Sequence, residues 1–374
     1  MRKQPGGLMR YLSEFRSPSL ARAWIKKIEN RLARFPDGPL PIMEFCGGHT
    51  HAIFRYGLHQ VLPSAIDWVH GPGCPVCVLP REAIDFACAL AQDPKVILAS
   101  FGDAVRVPGS SGSLLAAKAC GADVRIVYSP LDALTLARRH PEREVVFFAI
   151  GFETTQPATA LTILQAEREE IANFSVLCRH ITTEAAIRAV LSDPELGLAG
   201  IIAPGHVATV IGAESFAFIP REYAIPTVVS GFEPIDLLQA LWLLLKQLNE
   251  GRCALENQYR RSVRPYGNPI AQQAIAQVFE AVPQAEWRGL GKLPASGVRI
   301  KERYALFDAE RRFRITIPKT DEEPLPCGQV LSGKLKPNAC PHFGARCRPE
   351  APLGALMVSS EGACAAWYRY RRES

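Results

Sequence analysis

The chain has 374 residues, of which 48% are apolar and 21% charged, and carries a formal net charge of +6. That length exceeds what one hydrophobic core usually serves, so two or three globular domains are expected. Basic clusters at Arg138-Arg139, Arg260-Arg261, Arg311-Arg312 and from Arg369 to Arg372 are short and scattered, form no stripe with interleaved aromatics, and give no support for nucleic-acid binding.

From the N-terminus, Met1 to Phe15 carries charges and glycines and lacks the apolar stretch of a signal peptide. Residues 1–37 read as helical, because Leu8, Tyr11, Leu12, Phe15, Ala21, Trp24, Ile25, Ile28 and Leu32 recur at three- and four-residue steps. Pro36-Asp-Gly38 predicts a turn. Short apolar runs then alternate with helical stretches. Ile42–Phe45 ends at Cys46, Ile66–Val69 at Gly71-Pro-Gly73, Val96–Phe101 at Gly102-Asp103, and Val124–Tyr128 at Ser129-Pro130. Val145–Ile150 runs into Gly151-Phe-Glu-Thr-Thr155 and a helix to about Glu170. Gly200–Ala203 runs into Pro204-Gly-His206, and Pro226–Ser230 into Gly231-Phe-Glu-Pro234.

Buried β-branched runs alternating with amphipathic helices predict an α/β fold with parallel sheets built from βαβ units. The most apolar run, Leu237 to Leu245, is too short to span a bilayer. Helical stretches are expected to about Val282, followed by a charged, mixed segment over Arg299–Ile317. From Pro324 onward the chain is rich in Cys, Pro and Gly and needs a metal or cluster as a staple. No membrane anchor is expected, and the predicted compartment is the cytoplasm. Thiols stay reduced there, so the spacing of the eleven cysteines is read for metal or redox chemistry and not as a structural disulfide framework.

Four cysteines lie in the tail: Cys327, Cys340, Cys347 and Cys364, separated by 12, 6 and 16 residues. Four thiolates suit a [4Fe–4S] cluster or an all-Cys zinc site, and the absence of a close pair favours the cluster. Cys74-Pro-Val-Cys77 follows a predicted strand and is expected to open the next helix, whose N-terminus would favour a thiolate. Such a pair can cycle between dithiol and disulfide, carrying two electrons; half of a zinc site is the alternative. Cys46 lies in Glu44-Phe-Cys-Gly-Gly-His-Thr-His51, where bare glycine backbone lets a ligand approach. With His49 and His51 nearby, Cys46 reads as a nucleophile or metal ligand. Cys88, Cys120, Cys178 and Cys253 read as small buried hydrophobes. Glu153, His206 and Glu233 each follow a predicted strand, where α/β folds place ligand sites, and together suggest one cleft. Capping by Thr154 or Thr155 would account for the first of these motifs alone.

Glu44-Phe-Cys-Gly-Gly-His-Thr-His51, Gly71-Pro-Gly-Cys-Pro-Val-Cys77, Gly151-Phe-Glu-Thr-Thr155, Pro204-Gly-His-Val207, Cys327-Gly-Gln-Val330 and Ser360-Glu-Gly-Ala-Cys364 resemble the HypD family of hydrogenase maturation factors, in order and across residues 44–364. The resemblance implies two Rossmann-like parallel-sheet domains, 38–140 with Cys46, Cys74 and Cys77, and 141–240. A mostly helical or loop [4Fe–4S] domain, 241–374 with the N-terminal helices 1–37, would complete the chain. It further implies that Cys327, Cys340, Cys347 and Cys364 hold the cluster and that Cys74 and Cys77 relay electrons. Cys46 would hold an iron that gains cyanide and carbon monoxide, with His49 positioning or moving a proton. A HypC-type chaperone and a HypE-type cyanide donor are the implied partners, this chain entering their complex as a monomer. The implied product is the Fe(CN)2CO centre of [NiFe]-hydrogenase. A stand-alone iron–sulfur disulfide oxidoreductase and a zinc-stabilised interaction module are the other readings.

Overall fold

The computed structural model describes residues 13–35, 38–317 and 325–370. The expectations for Leu8, Tyr11, Leu12, Pro36, Asp37, Pro324, Arg371 and Arg372 lie outside these residues. Eleven strands are formed among the described residues: β1 (Leu40–Glu44), β2 (Ile66–His70), β3 (Val96–Ser100), β4 (Val124–Ile126), β5 (Glu144–Gly151), β6 (Phe174–His180), β7 (Gly200–Pro204), β8 (Thr227–Ser230), β9 (Leu255–Asn257), β10 (Phe279–Trp287) and β11 (Gly291–Ile300). Strand β5 shows why the apolar runs become central strands. Every residue from Val145 to Gly151 is buried, as a parallel strand covered on both faces requires.

The strands make two parallel sheets, in the orders β2-β1-β7-β8-β9 and β4-β3-β5-β6, and one antiparallel hairpin, β10-β11. The α/β reading with parallel sheets holds. The sheets are not divided along the chain at residue 140, however. The first takes β1 and β2 and then, after the whole second sheet, β7 to β9; residue 140 falls inside the second sheet, between β4 and β5. Pairing of β1 with both β2 and β7 is what joins distant segments into one unit.

The N-terminal helix Pro18–Leu32 belongs with the first sheet rather than with the cysteine-rich tail. Its Ile28 and Leu32 are buried in one core with Ile42, Trp68, Leu241 and Leu245. Trp24 also meets Trp242 edge to face at 5.7 Å. The apolar run Leu237–Leu245 is the buried side of the helix Pro234–Asn249 in that core. No described helix is long and apolar enough to cross a membrane.

Strand β6 and the β10-β11 hairpin are additions to the predicted elements. The helix expected to about Val282 stops at Val278, and the chain turns into β10. Pro283 lies where the hairpin register shifts, between Val282 and Gln284. A proline cannot donate to a ladder, so the irregularity accommodates it.

Candidate functional site

Four strand ends of the first sheet converge. β1 delivers Cys46, β2 delivers Gly71 to Cys77, β7 delivers His206 and β8 delivers Phe232. Strand order reverses between β1 and β7, so Cys46 and His206 flank the switch point at which parallel sheets open a crevice.

Cys46 is half-buried and is the N-cap residue of the helix Gly47–Arg55. Burial pushes its thiol well above the ordinary range, and the negative charges of Glu361 and Glu44 add to this. The backbone N–H groups of Gly48 and His49 pull the other way. A positive ion placed here would tip that balance toward the thiolate.

Glu44 is wholly buried beneath Cys46. Its carboxylate accepts from the Cys46 N–H at 2.8 Å, from the Thr50 hydroxyl, and from His70 Nδ1 at 2.8 Å. Burial raises its proton affinity, with the His70 hydrogen bond opposing. These bonds fix the turn that presents the sulfur. In the sequence Glu44 stands within the predicted strand Ile42–Phe45 and opens the Cys46 motif, with nothing local to mark its buried hydrogen bonds.

His49 is buried, donates through Nε2 to Ser230 O at 3.2 Å, and has no hydrogen-bond partner at Nδ1 among the described residues. Burial holds its pKa down to about 3, so the ring is neutral and its Nδ1 lone pair is open to a hydrogen-bond donor or a metal. Phe232 stacks on His49 at 4.4 Å and on His206 at 3.6 Å. Gly48 lies tight against this stack: a Cβ there would meet the Phe232 ring at 3.0 Å, and the ring would have to give by a few tenths of an ångström.

The other polar residues separate. His51 donates to Ser360 O at 3.1 Å and meets Tyr370 edge to face, tying its helix to the tail. Glu233 pairs with Arg16, fastening the N-terminal segment. Glu153 follows β5 in the second sheet and accepts from the backbone N–H and hydroxyl of Thr183, at 2.9 and 2.7 Å. Those bonds hold the start of the helix Thr183–Leu191. Among the suggested cleft residues, His206 is therefore the one that joins the stack beside Cys46.

Cys74 and Cys77 are buried and joined as a disulfide. They do not open a helix; they lie in a turn, and the next helix begins at Arg81 after Pro80. The loop is pressed onto Cys46. Gly47 N donates to Gly73 O at 3.1 Å, Gly71 N donates to Glu44 O at 2.8 Å, and a Cβ at Gly73 would reach Cys46 N at 2.4 Å.

In the tail, Cys327, Cys340, Cys347 and Cys364 all line one cavity, together with Val330, Phe343, Leu356 and Met357. Burial pushes Cys327 up to about 11 and Cys364 well above the ordinary range, each raised further by the neighbouring cysteines. Leu353 N donates to Cys347 Sγ at 3.4 Å. A Cβ at Gly354 would come within 2.5 Å of Cys327 Sγ, so that glycine keeps the wall clear. Among the described residues, no three His, Cys, Asp or Glu side chains close on one point as ligands of a single ion. Four sulfurs around an apolar cavity are a donor set that fits an iron–sulfur cluster. Cys74, Cys77 and Cys364 share one hydrophobic core, with Cys327 and Cys347 packed against it. Of the remaining cysteines, Cys178 is buried, Cys88 is half-buried, and Cys120 and Cys253 are exposed rather than buried as expected.

The chain is similar to known proteins over nearly its whole length. The family model for HypD, described as "Hydrogenase formation hypA family", matches residues 19–371. The chain is 54% identical over 370 residues to hydrogenase maturation factor HypD of Rhodobacter capsulatus, covering 97% of this chain and 98% of that relative. It is 51% identical over 369 residues to hydrogenase maturation factor HypD of Escherichia coli K12, covering 98% and 99% respectively. With the motif residues gathered and similarity running over nearly the whole length, this chain belongs to the HypD family.

Proposed function

We propose that this chain is a hydrogenase maturation factor on which the iron of a [NiFe]-hydrogenase acquires its cyanide and carbon monoxide ligands before transfer. The observation that carries the reading is the succession of sulfurs. Cys46 lies against the Cys74–Cys77 loop, and that pair shares its core with the four-cysteine cavity.

Each group has a distinct task. Cys46 holds the incoming iron, since a soft thiolate suits an iron that binds cyanide and carbon monoxide. The Glu44 network fixes its backbone, and the neutral rings of His49 and His206, stacked on Phe232 beside it, offer nitrogen lone pairs to the metal. Cyanide arrives as a thiocyanate on a HypE-type partner. Its release consumes two electrons and a proton: the S–CN bond breaks, the partner sulfur becomes a thiol, and cyanide passes to the iron. Cys74 and Cys77, when reduced, supply both electrons as they form their disulfide, giving up two protons, of which one goes to the partner thiol. A [4Fe–4S] cluster on Cys327, Cys340, Cys347 and Cys364 would supply one-electron transfer for restoring the dithiol. A HypC-type chaperone adds a further cysteine to the iron and carries it away. The site of this work is the cytoplasm.

Infrared spectroscopy of anaerobically purified protein tests the reading. Cyanide and carbon monoxide bands should be present, lost on Cys46→Ala, and kept on Cys120→Ala. Bands that persist without Cys46 would overturn it.

A further inference from the structure

His51 and the aromatic residues of the helix Ala363–Tyr370 have no part in the chemistry above, yet they join the four-cysteine cavity to Cys46. The helix carries Cys364 in its first turn, and Cys364 lines the cavity. Phe343, in the same cavity wall, meets Tyr368 one turn further along the helix, edge to face at 5.9 Å. The helix also lies against the helix Gly47–Arg55, which Cys46 caps. Trp367 packs on Phe54 with ring centroids 5.2 Å apart, and Tyr370 meets His51 at 5.6 Å. His51 Nδ1 donates to Ser360 O at 3.1 Å, just ahead of the same helix.

Two further contacts carry the linkage to the Cys46 turn itself. Phe54 also meets His70, ring centroids 5.3 Å apart, and His70 is hydrogen-bonded to the Glu44 carboxylate that accepts from the Cys46 N–H. On the other side Gly47 is pressed directly on the tail: a Cβ there would lie 2.5 Å from Glu361 Cβ and 2.7 Å from Glu361 O. The turn that presents Cys46 is therefore held by residues 360–370, and these are held in turn through Cys364. A cysteine-, proline- and glycine-rich segment has little apolar surface of its own to bury, so a cluster bridging its sulfurs contributes folding free energy that unbridged thiols do not. Loss of the cluster would loosen the start of the helix, and its aromatic contacts would pass that loosening to Cys46.

We propose that Trp367 and His51 are positioning residues for Cys46, which make the setting of this thiol depend on a cluster held by Cys327, Cys340, Cys347 and Cys364. The cluster then does more than pass electrons. A chain without it also fails to hold Cys46 in place, so iron is not loaded where the disulfide cannot be reduced. This inference deepens the reading of Cys46 and the four-cysteine cavity and rests on it.

The test reads the thiol rather than maturation. Full-length chain, produced without its maturation partners and kept free of oxygen, is compared with its cluster reconstituted and after chelation. The readout is the rate at which iodoacetamide alkylates Cys46, resolved residue by residue by mass spectrometry. Cys178, buried in the second sheet, reports general loosening in the same samples. Removing the cluster should speed Cys46 alkylation about tenfold, the order expected when an aromatic contact and what lies behind it are released. Trp367→Ala with its cluster in place should react at the fast rate and Trp367→Phe at the slow one, with Cys178 unmoved in both. His51→Ala, which removes the bond to Ser360 O, should quicken Cys46 by a smaller factor. Equal rates in the loaded and stripped unmodified chain would overturn the proposal. So would a loaded Trp367→Ala chain that stays slow, since iron on Cys46 itself would then account for the protection, or one in which Cys178 quickens as much as Cys46. If Trp367→Ala takes up no cluster, His51→Ala decides, and a slow rate in its loaded form overturns the proposal. An unmodified chain that takes up no cluster even on reconstitution would remove the four-cysteine reading first, and the proposal with it. The infrared test of iron on Cys46 is independent of this rate.

Discussion

Gly73 is packed so tightly on Cys46 that a single added methyl group would come within 2.4 Å of the Cys46 amide nitrogen and Cα. The contact sets the separation between the thiol proposed to hold iron and the loop proposed to deliver electrons. Gly73→Ala should cost about 1–3 kcal/mol in stability, as overpacking does. It should also abolish hydrogenase maturation while iron bound by the tail cysteines remains. Denaturation, iron analysis and a maturation assay in a strain lacking its own factor check this; full maturation would show that the contact has no functional weight.

The two sets of redox sulfurs should separate on substitution. Cys74→Ser removes the disulfide and is expected to block maturation with the full complement of cluster iron, about four per chain. Cys340→Ser is expected to lose iron, sulfide and visible absorption together. Iron lost from Cys74→Ser would mean that the sulfurs have been assigned to the wrong tasks.

Gly354 offers a finer probe of the cavity, because a Cβ there would lie 2.5 Å from Cys327 Sγ. Gly354→Ala should drive that sulfur out of place, lowering iron content while leaving the helical and strand signals of circular dichroism nearly unchanged. A variant with normal iron would show that the wall can yield.

Glu153 carries a prediction about pH. Burial raises its folded-state pKa, with the Thr183 hydrogen bonds opposing, so the folded chain keeps this proton to higher pH than the unfolded chain. The stability it contributes is therefore complete below the unfolded value of about 4.3 and is lost as pH rises through the raised folded value. Glu153→Gln removes the titration and should flatten that part of the stability profile. Urea denaturation across the acid to neutral range measures the slope; equal slopes in the two proteins would contradict the prediction.

Much of the scaffold could be read directly from local pattern. Runs such as Val145–Ile150 and Ile66–Val69 are apolar on both faces and end in glycine-rich turns, so their strand character and the motifs at their ends follow from short-range physics. Strand β6 is absent from the predicted elements, although Phe174-Ser-Val-Leu-Cys178 carries the same apolar signal. The β10-β11 hairpin stayed hidden because no long apolar run announces it: between its buried ends β10 mixes half-buried and exposed positions, and β11 mixes exposed and buried ones.

What the sequence alone determined is the chemistry available: eleven thiols, a vicinal pair, four spread cysteines in a segment too poor in apolar residues to fold unaided, and histidines beside Cys46. Which groups meet was decided only by tertiary structure. Strand β1 pairs with β7 across about 160 residues of chain, bringing His206 and Phe232 to Cys46 while Glu153 goes to the other sheet. Strand pairing between distant segments is fixed by the burial of whole faces and by register, and neither is a property of any local stretch.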